Sequence, residues 1–114
     1  MARANVLTQP IVKTGVEPEL TAPTVDGDVI DTGRVLLMVD NAGASPVTVT
    51  VQTPLTVDGL AVDELAVQVP AGGRRLIGPF SKTTFGRPTG QPDSGRAYVD
   101  YSAVADVTRG VFSL

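Results

Sequence analysis

The stretch with the most chemistry-like spacing is Pro70-Ala71-Gly72-Gly73-Arg74-Arg75, set between the apolar runs Leu65 to Val69 and Leu76 to Phe80. Paired glycines beside paired arginines raise the prospect of a phosphate cradle. That chemistry needs a strand, a glycine loop with a lysine, and then a helix N-terminus whose free N–H groups meet the anion. Here a strand-like run follows the glycines, and no helix. The stretch therefore reads as the bend of a β-hairpin, with Pro70-Ala71 at the centre of a type I turn and Gly72 left-handed. Arg74 and Arg75 then point to opposite faces, and at least one must reach solvent or an acidic partner.

Asp26-Gly27-Asp28, with Asp31 nearby, is the best metal candidate. A calcium loop requires alternating oxygen ligands that end in a bidentate glutamate. Isoleucine occupies a ligand position and no glutamate follows at the proper distance, so a turn ahead of a strand is favoured. Asp58, Asp63 and Glu64 form a looser acidic group beside a turn. Ser81-Lys82 has the composition of a Ser–Lys nucleophile but lies in a polar loop. The 114 residues contain no His and no Cys. That excludes Ser-His-Asp and Cys-His catalysis, zinc thiolates and disulfides. No catalytic, cofactor-binding or metal-binding residue is assigned, and the chain is not expected to be an enzyme.

The formal net charge of −3 and the absence of any basic cluster beyond Arg74-Arg75 argue against nucleic acid as a partner. No apolar run approaches the ~20 residues that span a bilayer, so no membrane partner is expected. The start, MARANVLTQP, lacks the apolar core of a secretory signal.

The elements that carry these residues are strands. Apolar residues make up 42%, Gly 12 and Pro 9 promise many turns, and Val and Thr are β-branched. Residues 1–32, with Pro10, Pro18 and Pro23, read as an extended arm, and 33–114 as the folded domain. Arg34 to Asn41 is almost continuously apolar, which predicts a strand buried on both faces or near the middle of a sandwich. Val47, Val49 and Val51 alternate with Thr48, Thr50 and Gln52, and the two runs are expected to pair as a hairpin. Leu65, Val67 and Val69 face inward. Ser81 to Gly95 reads as a long polar loop, and Tyr98 and Tyr101 fall on opposite faces of a strand. Six to eight short strands with turns every ~8–12 residues predict an all-β chain, a single antiparallel β-sandwich of jelly-roll or immunoglobulin-like order with an extended N-terminal arm.

Gly33, Asn41, VTVTV at 47–51, TVDGLAV at 56–62, VPAGG at 69–73, IGPF at 77–80 and VDYSAV at 99–104 together resemble a family of small tailed-bacteriophage structural proteins encoded near the major capsid gene. The likeness covers about the last two-thirds of the chain, outside the arm and the 81–95 loop. It implies a virion protein, made in the host bacterial cytoplasm, that decorates the capsid or serves as a minor head protein. The implied partner is the major capsid protein, bound by a small homo-oligomer. It carries over no catalytic residue. Pro10, Pro18 and Pro23 of the arm, with Phe80, Phe85 and Arg87 about the loop, are the expected interface residues, since a proline-restricted arm loses little freedom on docking. A head–tail joining or tail protein is the second expectation. A glycan-binding module is the third, poorly equipped with Trp 0 and Tyr 2.

Overall fold

The computed structural model describes residues 3–90 and 93–114. Its elements in chain order are β1 (Ala4–Asn5), β2 (Thr8–Pro10), β3 (Asp28–Ile30), β4 (Val35–Asn41), β5 (Val47–Val51), β6 (Thr56–Val57), β7 (Leu60–Ala61), β8 (Leu65–Val69), β9 (Arg74–Ile77), α1 (Lys82–Phe85), β10 (Ala97–Tyr101) and β11 (Val107–Ser113). The protein is thus nearly all-β, as the β-branched composition predicts. A five-stranded sheet runs β1-β3-β10-β5-β8, a four-stranded sheet runs β2-β11-β4-β9, and β6-β7 form a separate ribbon. The pairing is not purely antiparallel, because β1–β3 and β2–β11 are parallel.

Strict alternation builds the core. Val35, Leu37 and Val39 of β4 and Val47, Val49 and Val51 of β5 all point into one apolar cluster. Val6, Ile30, Val69, Ile77, Phe80, Ala97, Val99, Val107 and Val111 complete it, so both larger sheets share a single interior. Fully burying a side chain of this kind contributes about 1.5–3 kcal/mol, which makes the valine rows the main stabilising feature.

Both expected hairpins dissolve. The runs at 34–41 and 47–51 do not pair: β4 lies between β11 and β9, while β5 lies between β10 and β8. Likewise β8 pairs with β5, and β9 with β4, so the Pro70–Gly73 turn crosses from one sheet to the other. A period of two says which side chains face the core but not which strand lies alongside. The turn also differs in kind. Gly73 N–H donates to Pro70 O at 2.9 Å, which puts Ala71 and Gly72 at the centre, and Gly72 at φ +70° gives the type II form. Nor is β4 buried on both faces, since its outward Leu36 and Met38 are only half-buried.

The division at residue 32 also gives way. The first 32 residues supply β1, β2 and β3 to both sheets, and Asp28, Val29 and Ile30 are fully buried. Residues 11–27 are the longest stretch of this segment outside named strands, and they touch β11 through an antiparallel bridge at Thr21. The 81–95 loop is folded over much of its length. Ser81 caps the single turn of α1 by accepting from Thr84 N–H at 3.2 Å, and Arg87 N–H donates to Arg96 O at 2.8 Å. Gln91 and Pro92 of that loop, and Met1 and Ala2 of the arm, lie outside the described residues.

Candidate interaction surface

The two sheets turn unlike outer faces to their surroundings. The five-stranded sheet presents Thr48 and Thr50 from β5 with Gln52 just past its end, Gln68 from β8, and Tyr98 and Asp100 from β10. The four-stranded sheet presents Leu36 and Met38 from β4, Leu76 from β9 and Phe112 from β11. Register makes these contiguous: Leu36 stands opposite Phe112, and Met38 opposite Leu76. Phe112 is 2% exposed, whereas Leu76 is 62% exposed. Ile11, Val16 and Pro18 form the far wall of a groove of about 300 Å³ along this strip. Beyond Leu36 the apolar lining continues past Pro79 to Leu114, which is 73% exposed.

The segment that walls the groove is held there by backbone. A Cβ at Gly110 would meet Glu19 O at 2.7 Å, so glycine lets the chain lie flat on β11. The Gln9 side chain clamps the same place, donating to Glu19 O at 2.8 Å and accepting from Glu19 N–H at 3.0 Å. Thr21 and Arg109 exchange backbone bonds at 3.0 and 2.8 Å.

The expected interface residues are dispersed. Pro10 is exposed at the end of β2, and Pro18 is exposed on the groove wall. Pro23 is buried and offers a partner no surface. Phe80 is 0% exposed and belongs to the core cluster, and its carbonyl accepts from Gly33 N–H at 2.7 Å. Phe85 is half-buried and packs edge-to-face on Phe80, with ring centres 5.5 Å apart. Arg87 lies on the other sheet, its guanidinium 4.5 Å from the Tyr98 ring centre, which Arg3 also meets at 4.5 Å. The hydrogen bond from Tyr98 to Asp93, ahead of burial, raises the Tyr98 pKa from 10.0.

Two of the three acidic residues of the metal candidate, Asp28 and Asp31, are occupied by arginines. Asp28 of β3 is 0% exposed and accepts two bonds from Arg109 of β11, Nε at 2.6 Å and Nη2 at 2.8 Å. Tyr101 Oη donates to the same carboxylate, and Arg109 Nη1 donates to Thr21 O at 3.1 Å. Burial, then the Asp28 charge, pushes the Tyr101 hydroxyl above its ordinary value. The Asp28 hydrogen bond raises Arg109 against the opposing effect of burial. Asp31 pairs with Arg96 Nε at 3.1 Å and accepts from Thr8. Residues 24–27 form the turn expected ahead of the strand, with Gly27 N–H bonded to Thr24 O. Among the described residues no group of three or more acidic, His or Cys side chains is placed to hold a metal. Both ends of the buried pair are fully bonded, so its chemistry is that of a tie between the sheets.

The sequence alone does not mark Leu36, Met38 and Leu76 as surface residues. What signal there is lies in Arg34 to Asn41. In a strand with one face on the core, apolar residues at both parities leave the second set for another partner. No family model, curated protein or solved structure matches the chain. No helix among the described residues is long and apolar enough to cross a membrane.

Proposed function

We propose that the chain is a bacteriophage capsid decoration protein, a non-catalytic β-sandwich that binds the outer surface of the major capsid shell and stabilises it. The observation that carries this reading is the apolar outer face of the four-stranded sheet. Leu36, Met38 and Leu76 point away from the shared core and stay partly or largely exposed, with the buried Phe112 as their floor, and a groove of this kind fits an apolar segment of another protein. Burial of that strip at about 25 cal/mol per Å² would supply binding free energy. Contacts that span neighbouring shell subunits would oppose expansion and heat.

The connectivity supports the jelly-roll form of the sandwich over the immunoglobulin-like one. From β3 to β11 the chain changes sheet at every connection between the two larger sheets except that from β5 to β8. The resulting orders, β3-β10-β5-β8 and β11-β4-β9, are those of two interlocked Greek keys, with Thr21 beside β11 in the place of the first strand. Such a fold hosts many functions, so the surface and not the topology carries the argument.

Quantitative mass spectrometry of purified virions tests the reading. A copy number near that of the major capsid protein is the expected result. A ring's worth of copies would move the protein to the head–tail junction or tail, and complete absence would overturn the virion reading.

A further inference from the structure

β8 ends the five-stranded sheet, with β5 as its sole neighbour there. Half of its backbone N–H and C=O groups therefore face away from the sheet. Proteins blunt such edges with short strands, prolines, bulges or charged side chains. Three of the four edges conform. β1 has two residues, β2 ends in Pro10, and β9 opens with Arg74-Arg75. β8 has five residues, Leu-Ala-Val-Gln-Val, with no proline, glycine or charge and with unbroken register to β5. Its inward Leu65 and Val67 pack against the core yet remain partly exposed, so the interior is unfinished along this edge.

We infer that β8 pairs antiparallel with β8 of a second copy of this chain, about a two-fold axis at Val67, joining the two five-stranded sheets into one. Charge favours this occupant. Asp63 and Glu64 precede the strand, Arg74 and Arg75 follow the turn at its far end, and all four are exposed. The antiparallel register sets Glu64 opposite Pro70 of the partner subunit. Each acidic end then lies beside the turn that leads into the partner's Arg74 and Arg75, whereas a parallel pairing would bring like ends together. On the core side Leu65 and Val67 gain cover. On the outer face Ala66 stands opposite Gln68 of the partner subunit. The inference concerns the isolated chain and is independent of capsid binding.

The register supplies the test. Sedimentation equilibrium of the full chain should give twice the 11.8 kDa chain mass. Ala66→Lys with Gln68→Lys sets like charges opposite each other on both sides of the axis and should weaken the dimer at least tenfold. Ala66→Lys with Gln68→Glu sets opposite charges there and should retain it, while controlling for substitution at the same sites. A monomer at all concentrations, a trimer, or equal association by the two variants would overturn the inference. Amide exchange of the unaltered chain gives a second reading that needs no variant. The amides of Ala66 and Gln68, which point away from β5, should lose protection on dilution, and concentration-independent exchange at both would also overturn the pairing.

Discussion

Asp28, Arg109 and Tyr101 place three ionisable groups in the interior, one from each of β3, β11 and β10. Removing one member leaves a buried charge without its partner, which costs about 3–5 kcal/mol. Arg109→Met should therefore lower the urea-unfolding free energy by that amount. Adding Asp28→Leu should recover most of it, because an apolar pair no longer pays for desolvation. Tyr101 adds a pH dependence. Its pKa in the fold lies above the ordinary 10.0, so the unfolded chain releases the proton first as pH rises. The contribution is complete below pH 10, and stability should fall above it by at most about 1.4 kcal/mol per pH unit. Tyr101→Phe should flatten that part of the stability–pH curve measured by denaturant titration. Nothing in the sequence joins positions 28, 101 and 109. Asp28 invited a metal reading because its arginine partner lies far along the chain.

Among the elements, the segment from Ile11 to Thr21 lies flat on β11 only because residue 110 is a glycine, alongside the Gln9 clamp and the Thr21–Arg109 bonds. Gly110→Val would drive a side chain into Glu19 O and Leu20. Overpacking of this kind costs about 1–3 kcal/mol, and the segment should lift away before the sheets separate. Trypsin should then cleave after Lys13 faster than in the unaltered chain, and an equal cleavage rate would count against the contact. The strands themselves were legible. Val47 to Val51 and Leu65 to Val69 alternate as read, and Asp58-Gly59 turns β6 into β7 with φ values of +53° and +78°, the type I′ form. Their partners were not legible, because alternation in β4 and β5 is satisfied equally by pairing side by side and by facing each other across a core. Asn41 helps to settle the second arrangement. Its buried amide donates to Ser45 O at 2.8 Å and to Val69 O at 3.2 Å, so the end of β4 is tied to the end of β8 in the opposite sheet.

For the whole molecule, the unlike outer faces matter most. Leu76→Lys changes an exposed residue and should shift stability by no more than about 0.5 kcal/mol. On the proposed reading it should nevertheless weaken binding to purified capsids in a pelleting assay and remove any rise in shell melting temperature that the unaltered chain confers. Gln68→Lys, on the polar face of the other sheet, is the matched control and should leave capsid binding intact. Equal binding by the two variants would remove the groove from the capsid interface. Of the residues expected to form that interface, Pro10 and Pro18 lie at or near the groove, Arg87 stacks on the other sheet, and Pro23 and Phe80 are inside.

The amino-acid sequence by itself determined the all-β class, the inward sets of β5 and β8 and the exclusion of His- and Cys-dependent chemistry. Each depends on residue type or on a spacing of two, and both are local. The tertiary structure alone decided that the first 32 residues complete both sheets, that neither expected hairpin forms, and that Asp28 meets Arg109. It also decided which apolar residues are left outside. Those outcomes turn on which strands lie side by side, a choice made by closing one core around many similar valines rather than by any short stretch of the chain.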